Sequence, residues 1–404
     1  MKILFVQNRI LFPTNTGGRI RTLNVLRHLA KWHDITYLCN VENGDKPHLE
    51  QMKQLGVTLE TCQWKGTKPD QWKFYWGLAT NCCCSLPFSV SKDNNPLLRR
   101  RAEQLTAGSP FDLVICDFVQ MLPATIGLPC RASILFQHNV EAQILQRHAE
   151  TDRGWLRRRV MSMQWKKMRR FEQQSGRQFD AVIAVSDEDR ATFKNQYDWD
   201  NVQVIDTAVN VDYFQPRQQV DDNVNITFVA SMDWLPNQEG AIWFAREVWP
   251  LILAEYPKAR FRLVGRNPSR KVESLAAEQG VEVLGTVPDV RPHLADAAVI
   301  VVPLLVGGGT RIKIFEAMAM GKAVVSTTIG AEGLKVTAGK HILLADSASD
   351  FARATSRLLA NSAQRKQMGD AAHQLVNENF SAESVARQFE QICQQAVDSK
   401  PPVK

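Results

Sequence analysis

Thirteen short apolar runs rich in β-branched residues alternate with helix-patterned segments along this chain, and the alternation restarts once. The first series reads as strands at KILFVQ (2–7), DITYLC (34–39), VTLE (57–60), DLVICD (112–117), ASILFQH (132–138), DAVIAVS (180–186) and VQVID (202–206). Helical patterns fill 18–32, 94–106, 140–151, 153–176 and 187–197. The second series reads ITFVA (226–230), RFRLVG (260–265), VEVLG (281–285), AVIVVP (298–303), AVVST (323–327) and HILLA (341–345). Its helices fall at 236–255, 270–279, 289–296 and 311–320. Apolar runs separated by helix-length crossovers predict parallel sheets covered by helices. The polar stretch NVDYFQPRQQVDDNVN (210–225) separates the series and reads as a linker. The expected fold is α/β: two Rossmann-like, doubly wound domains facing a cleft, with a C-terminal helical tail. The N-terminal domain covers 1–209 and the C-terminal domain 226–380, with a last helix over 381–404 returning to the first. A length of 404 residues suits two cores better than one.

No run of eighteen apolar residues occurs, so no membrane-spanning helix is expected. The opening apolar run is broken by Gln7, Asn8 and Arg9, which fits a buried first strand better than a signal peptide. The eight cysteines include no C-x-x-C spacing, and Cys82–Cys84 lack nearby histidines, so no zinc site is expected. Reduced thiols in a cytoplasmic protein are the simpler reading. The net charge of +7 is concentrated: RGWLRRRVMSMQWKKMRRF (153–171) holds six arginines, two lysines and no acid. A basic helix with interleaved aromatics suits an anionic membrane surface or a lipid-phosphate acceptor, and equally a solvated helix packed on the N-terminal domain. Arg157, Arg158, Arg159, Lys166 and Lys167 are its candidate acceptor or membrane face, and no nucleic-acid-binding module accompanies the charge.

Parallel sheets bind ligands at the carboxyl ends of their strands, so the informative residues follow the runs. After the first run, PTNTGGRIR (13–21) places Gly17 and Gly18 at a helix start, where amides can face an anion. Asp117 and His138 end two further strands. In the second series, PLLVGGGTRIKIFEAMAMGKAVVST (303–327) joins a strand end, three glycines and an amphipathic helix. Thr310 is a candidate cap, and Arg311 and Lys313 fall in the first turn. Cations there oppose the helix dipole unless an anion neutralises them, so a phosphate site is the economical explanation. Glu316 is one turn further on, placed to accept two hydrogen bonds from a ribose diol.

The block resembles the donor-binding motif of retaining family-4 glycosyltransferases, which have the two-domain GT-B fold. FEAMAMGKAVVST (315–327) matches the second half of that motif, with Lys322-Ala323 where the family often has x-Pro. The glycines at 17–18, FQHNVEA (136–142), AVIAVSD (181–187), VIDTAVNVDYFQP (204–216) and LGTVPDV (284–290) resemble further family segments in order. The likeness is greatest to sugar transferases of exopolysaccharide clusters, including exosortase-associated ones. It implies a donor site of Gly17, Gly18, Val287, Gly308, Gly309, Thr310, Arg311, Lys313 and Glu316, with His138 and Asp117 as catalytic-side residues. It departs from the family at Gly308, where a glutamate is usual, and at Ser231 and Asn237, where Arg and Lys usually hold the diphosphate.

The resemblance implies a hexosyl transfer with retention, from a UDP- or GDP-linked sugar to a saccharide or lipid-linked acceptor. No cofactor and no metal are expected, on the reading that the sequence holds no Asp-x-Asp motif. The place implied is cytoplasmic, peripheral on the inner face of the membrane. A sugar-nucleotide epimerase and a non-catalytic nucleotide-sugar binder are the alternative readings.

Overall fold

Every one of the thirteen apolar runs becomes a strand, and the strands form two wholly parallel sheets. The first contains β1 (Lys2–Arg9), β2 (Asp34–Val41), β3 (Thr58–Gln63), β4 (Phe111–Asp117), β5 (Cys130–Phe136), β6 (Ala181–Ala184) and β7 (Val202–Val204), in the order β3-β2-β1-β4-β5-β6-β7. The second contains β8 (Asn225–Val229), β9 (Arg260–Val264), β10 (Val281–Gly285), β11 (Val299–Val302), β12 (Val324–Ser326) and β13 (Leu343–Leu344), ordered β10-β9-β8-β11-β12-β13. Helices cover both faces, so central strands are buried on both faces through their middles: Ile3 to Val6 and Val299 to Val302 are 2% exposed or less. In this computed structural model the described residues are 1–14, 16–65, 76–78, 80–81, 84–108, 110–151, 155–216, 224–232, 234–306 and 311–401, with the backbone alone at 147, 148, 151, 156 and 157.

The chain forms two compact units. One comprises Met1–Asp206 with Val385–Lys404, the other Thr207–Ser384. The stretch expected to be a linker contributes to the second unit before its first strand. Phe214 is buried in that core, and Val209 exchanges backbone hydrogen bonds with Phe380 and Ala382. The final helix, Ala382–Asp398, packs on the first unit. Phe389 meets the Phe136 ring edge-on at 5.1 Å, and Arg387 lies over Trp32 at 3.5 Å.

The helix expected over 236–255 is interrupted. An α-helix over Leu235–Trp243 passes through a π turn at Phe244–Val248 into Trp249–Glu255. Pro250 explains the break, because it has no N–H to donate and its ring would strike the carbonyl one turn back.

Both sheets reverse their winding direction at the centre, between β1 and β4 and between β8 and β11. Two crossovers diverge there and leave space beyond the carboxyl ends. In the second unit, a Cβ at Gly240 would stand 2.5 Å from the Pro303 carbonyl oxygen, so the helix bearing Asn237 rests on the end of β11. Gly240→Ala is expected to cost about 1–3 kcal/mol by overpacking, read as a lower urea midpoint with unchanged slope.

Candidate functional site

At the first switch point, Gly17–Trp32 begins as a helix with no acidic residue in its first turn and no side-chain cap from Thr16. Its first amides are therefore available to an anion. Gly17 has open space around it, while a Cβ on Gly18 would meet the Phe118 ring at 2.8 Å. Phe118 follows β4 with φ at +70°, a conformation costing about 1–3 kcal/mol. That backbone turn stacks its ring on His138, with centroids 4.0 Å apart, and Phe136 packs beside the same imidazole at 4.2 Å.

The polar groups beneath form one chain. Thr22 Oγ1 donates to Asp117 Oδ2 at 2.8 Å, and His138 Nε2 lies 2.6 Å from Asp117 Oδ1. Arg21 Nη1 lies 3.2 Å from His138 Nδ1. A guanidinium only donates, so Nδ1 accepts and Nε2 carries the proton given to Asp117. Burial lowers the His138 pKa, Asp117 opposes that shift, and the nearby Arg21 charge adds to it. The ring is neutral. Burial also brings Arg21 down to about 10, against the opposing charges of Asp189 and Asp117.

Strand-end position and the family resemblance together pointed to His138 and Asp117 as catalytic-side residues. The structure brings them together, but their side chains are 1% and 0% exposed, and both imidazole nitrogens have partners. The geometry gives them a positioning part, holding Arg21 under the glycine turn. Arg21 itself was missed; its place three residues after a glycine pair was the available signal.

At the second switch point, Lys313 lies in the helix Ile312–Ala319, and its Nζ donates to Asn237 Oδ1 at 2.7 Å. Asn237 is 3% exposed and donates in turn to the Ser231 carbonyl, while Arg266 Nε donates to Ser231 Oγ at 2.7 Å. The cation thus stands at the end of β8, beside the two positions where the resemblance leads one to expect Arg and Lys. Burial and the neighbouring Arg311 lower Lys313 to about 7, with Glu316 opposing, and burial raises Glu316 to about 7. Arg311 is 4% exposed and donates to the Ile329 carbonyl, anchoring the helix start. Arg311 itself stands at the N-cap position without a side-chain cap, its guanidinium turned to the Ile329 carbonyl rather than open at the first turn. Val287 is half-buried in the turn after β10. Gly308, Gly309 and Thr310 lie outside the described residues. Arg266 was missed, since one arginine after a strand carries no distinctive signal.

The basic segment forms the helix Trp155–Ser175. Trp155, Arg158, Arg159, Lys166, Arg169 and Arg170 are exposed, and their three- and four-residue spacing puts them on one face. Lys167 departs from expectation: it is half-buried and donates to the Asn81 carbonyl at 2.5 Å. The side chain of Arg157 lies outside the described residues. Glu172, on the inward face, accepts from the amides of Glu141 and Ala142, from Gln137 and from Tyr197. Burial pushes its carboxyl up to about 8.

Asp-x-Asp does occur, twice, at the two ends of the helix Asp187–Tyr197. Asp187 pairs with Arg190, the Asp189 amide is capped by Ser186, and Asp198 pairs with Arg177. Among the described residues no three His, Cys, Asp or Glu side chains cluster as metal ligands.

Residues 223–361 match the family of glycosyl transferases group 1. The second unit carries a glycosyl transferases group 1 domain. An uncharacterized 44.6 kDa protein of the cps region of Klebsiella pneumoniae is 21% identical over 401 residues, spanning 95% of this chain and 97% of that one. Anabaena HepE in complex with UDP superposes with a TM-score of 0.65 at 14% identity, covering 98% of this chain and 100% of the other. Sucrose-phosphate synthase of Thermosynechococcus elongatus gives 0.67 at 17% identity, over 99% and 100%. At these identities the likeness is one of fold, and it places both Rossmann-like units among GT-B structures.

The neutral His138 sets a pH dependence. Its folded pKa is depressed, so its contribution is present above the ordinary value of 6.5 and lost as pH falls through the folded value. Between about pH 7.5 and about pH 5.5, urea unfolding should lose more stability in the wild type than in His138→Gln, by up to about 1.4 kcal/mol per pH unit.

Proposed function

We propose that this chain transfers a sugar, with retention and without a metal, from a nucleotide diphosphate sugar to a saccharide or lipid-linked acceptor. The observation that carries the reading is the half-buried Lys313 ammonium on Asn237 within the glycosyl transferases group 1 domain, with Arg266 close by and Glu316 one turn away. Breaking a glycosyl–phosphate bond leaves negative charge on the departing diphosphate, and preorganised cations stabilise it most where water is excluded. Lys313 and Arg266 take the diphosphate in this reading, and Glu316 accepts from the ribose hydroxyls. The acceptor hydroxyl forms the new glycosidic bond, and its proton leaves on the diphosphate oxygen released when the old bond breaks. A UDP-linked donor is favoured by the UDP bound in Anabaena HepE. A part in exopolysaccharide or other cell-surface glycan synthesis is favoured by the cps-region relative.

In the first unit, the glycine turn over Arg21 offers helix amides and a buried cation to an anionic group, while His138 and Asp117 fix the guanidinium. The exposed cations of Trp155–Ser175, with Trp155 76% exposed at its start, form a face for an anionic membrane surface on the cytoplasmic side. No helix among the described residues is long and apolar enough to cross a membrane, so a peripheral seat is the mode this face supports.

Mass spectrometry of UDP- and GDP-sugars incubated with candidate acceptors tests the activity. Acceptor-dependent product supports transfer, and epimer formed without acceptor overturns it.

A diphosphate beside Lys313 raises its pKa, so donor binding above about pH 7 takes up a proton. Affinity for UDP-glucose should fall by up to about tenfold per pH unit above that point. Calorimetry in buffers of different ionisation enthalpy reads the proton directly, and Lys313→Ala should abolish both effects.

For the basic face, Arg158→Gln, Arg159→Gln and Lys166→Gln together should weaken binding to phosphatidylglycerol vesicles by roughly a hundredfold, at about 1 kcal/mol per charge. Equal sedimentation of variant and wild type would remove the membrane from this reading.

A further inference from the structure

Trp64, Lys65 and described residues between 77 and 92 line an open cavity of about 340 Å3 that neither switch-point site uses. Trp64 and Lys65 enter it directly from the carboxyl end of β3, and Asn81, Phe88, Ser91 and Lys92 line the rest. Its volume falls within the range of small-molecule sites, which combine apolar walls with a few fixed polar groups.

The polar groups here are held from outside the segment. Gln164 Nε2 donates to Asn81 Oδ1 at 2.9 Å, and Gln164 Oε1 accepts the Phe88 amide at 2.8 Å. Asn81 Nδ2 donates to the Leu86 carbonyl and to Ser91 Oγ, and Lys167 donates to the Asn81 carbonyl. Asn81 and Gln164 are each 3% exposed. Two residues of the basic helix therefore hold the floor of this cavity in a single geometry. Preorganisation of that kind spares a ligand the entropy of ordering its site.

The lining joins two aromatic rings to two cations. An indole or phenyl face offers broad apolar contact at little conformational cost, and the C–H face of a pyranose is its natural complement. Lys65 is exposed, and Lys92 reaches Asp93 only at 3.9 Å. Asp93 and Glu141 are the carboxylates acting on Lys92, and burial raises both. A neutral sugar would leave the two ammonium groups without a purpose, whereas a carboxylate or phosphate on the ring would meet them.

We infer that this cavity binds an anionic pyranose of the acceptor glycan, stacked on Trp64 and Phe88 with its charge toward Lys65 and Lys92. The inference rests on the glycosyltransferase reading for its place in a reaction, and on the cavity alone for binding.

Ligand-observed NMR on the full chain tests it with four probes: methyl β-glucuronide, glucose 6-phosphate, methyl β-glucoside and inorganic phosphate. The two acidic sugars should bind at least about tenfold more tightly than the neutral glycoside or phosphate alone, and added salt should weaken them. Trp64→Ala and the Lys65→Gln, Lys92→Gln pair should each cost about tenfold, while Trp64→Phe retains most of the affinity. Cys84 lines the same cavity and is exposed, so bound sugar should slow its alkylation, mapped by peptide mass spectrometry. That readout stands even where Trp64→Ala does not fold. Equal binding of glucoside and glucuronide, binding of phosphate alone as tight as glucose 6-phosphate, or unprotected Cys84 overturns the proposal. UDP-glucose binding on the same samples separates the two readings. Glucuronide binding without donor binding keeps the cavity and removes its place in transfer; donor binding without glucuronide binding does the reverse.

Discussion

A cation partly or wholly withdrawn from water at the end of a parallel strand is expensive unless something negative meets it, and each unit of this chain keeps one at its switch point, Arg21 buried and Lys313 half-buried. Desolvation lowers Arg21 to about 10 and Lys313 to about 7. Each is fixed by a short polar relay built on the strand ends themselves. Arg21 is held through His138, just after β5, and Asp117, which ends β4, and Lys313 through Asn237 and Ser231, which follow β8. Much of the local structure serves these two placements. The strained Phe118 encloses the imidazole, Gly18 makes room for Phe118, and Gly240 lets the Asn237 helix sit on β11.

The strands were legible because a strand buried on both faces must be apolar throughout, and such runs stand out between helical segments. HILLA (341–345) was read too long; only Leu343–Leu344 pairs with β12. Phe214 shows where composition misleads, since one aromatic ring in a polar stretch anchors the chain to a core that its neighbours do not announce. The interruption at Phe244–Val248 was foreshadowed by Pro250, but periodicity averages over such a turn.

The sites were legible in position and less so in function. Strand ends singled out His138, Asp117 and Lys313, because parallel topology puts ligand sites there. What sequence could not supply was depth. An imidazole with two partners and 1% exposure looks in one dimension like an imidazole at a pocket wall. Likewise Lys167 and Lys166 are adjacent letters in a basic run, yet a 100° step on the helix sends one inward to Asn81 and leaves the other in solvent.

Glu172 binds these separate features of the first unit into one framework. It sits on the inward side of the basic helix, where a carboxylate is costly, and its four donors recover part of that cost. Two of them are the first amides of the helix Glu141–Thr151, and a third is Gln137, whose Oε1 accepts the Val119 amide next to Phe118. From Phe118 the contact passes to His138 and then to Arg21. The same basic helix holds Asn81 through Gln164 and Lys167. A segment that reads in sequence as a block of surface charge thus has an inner face of Gln164, Lys167, Met168 and Glu172 that positions both the aromatic cavity and the buried arginine. Replacing the outward charges of this helix leaves these inward hydrogen bonds in place, because the two sets are different residues.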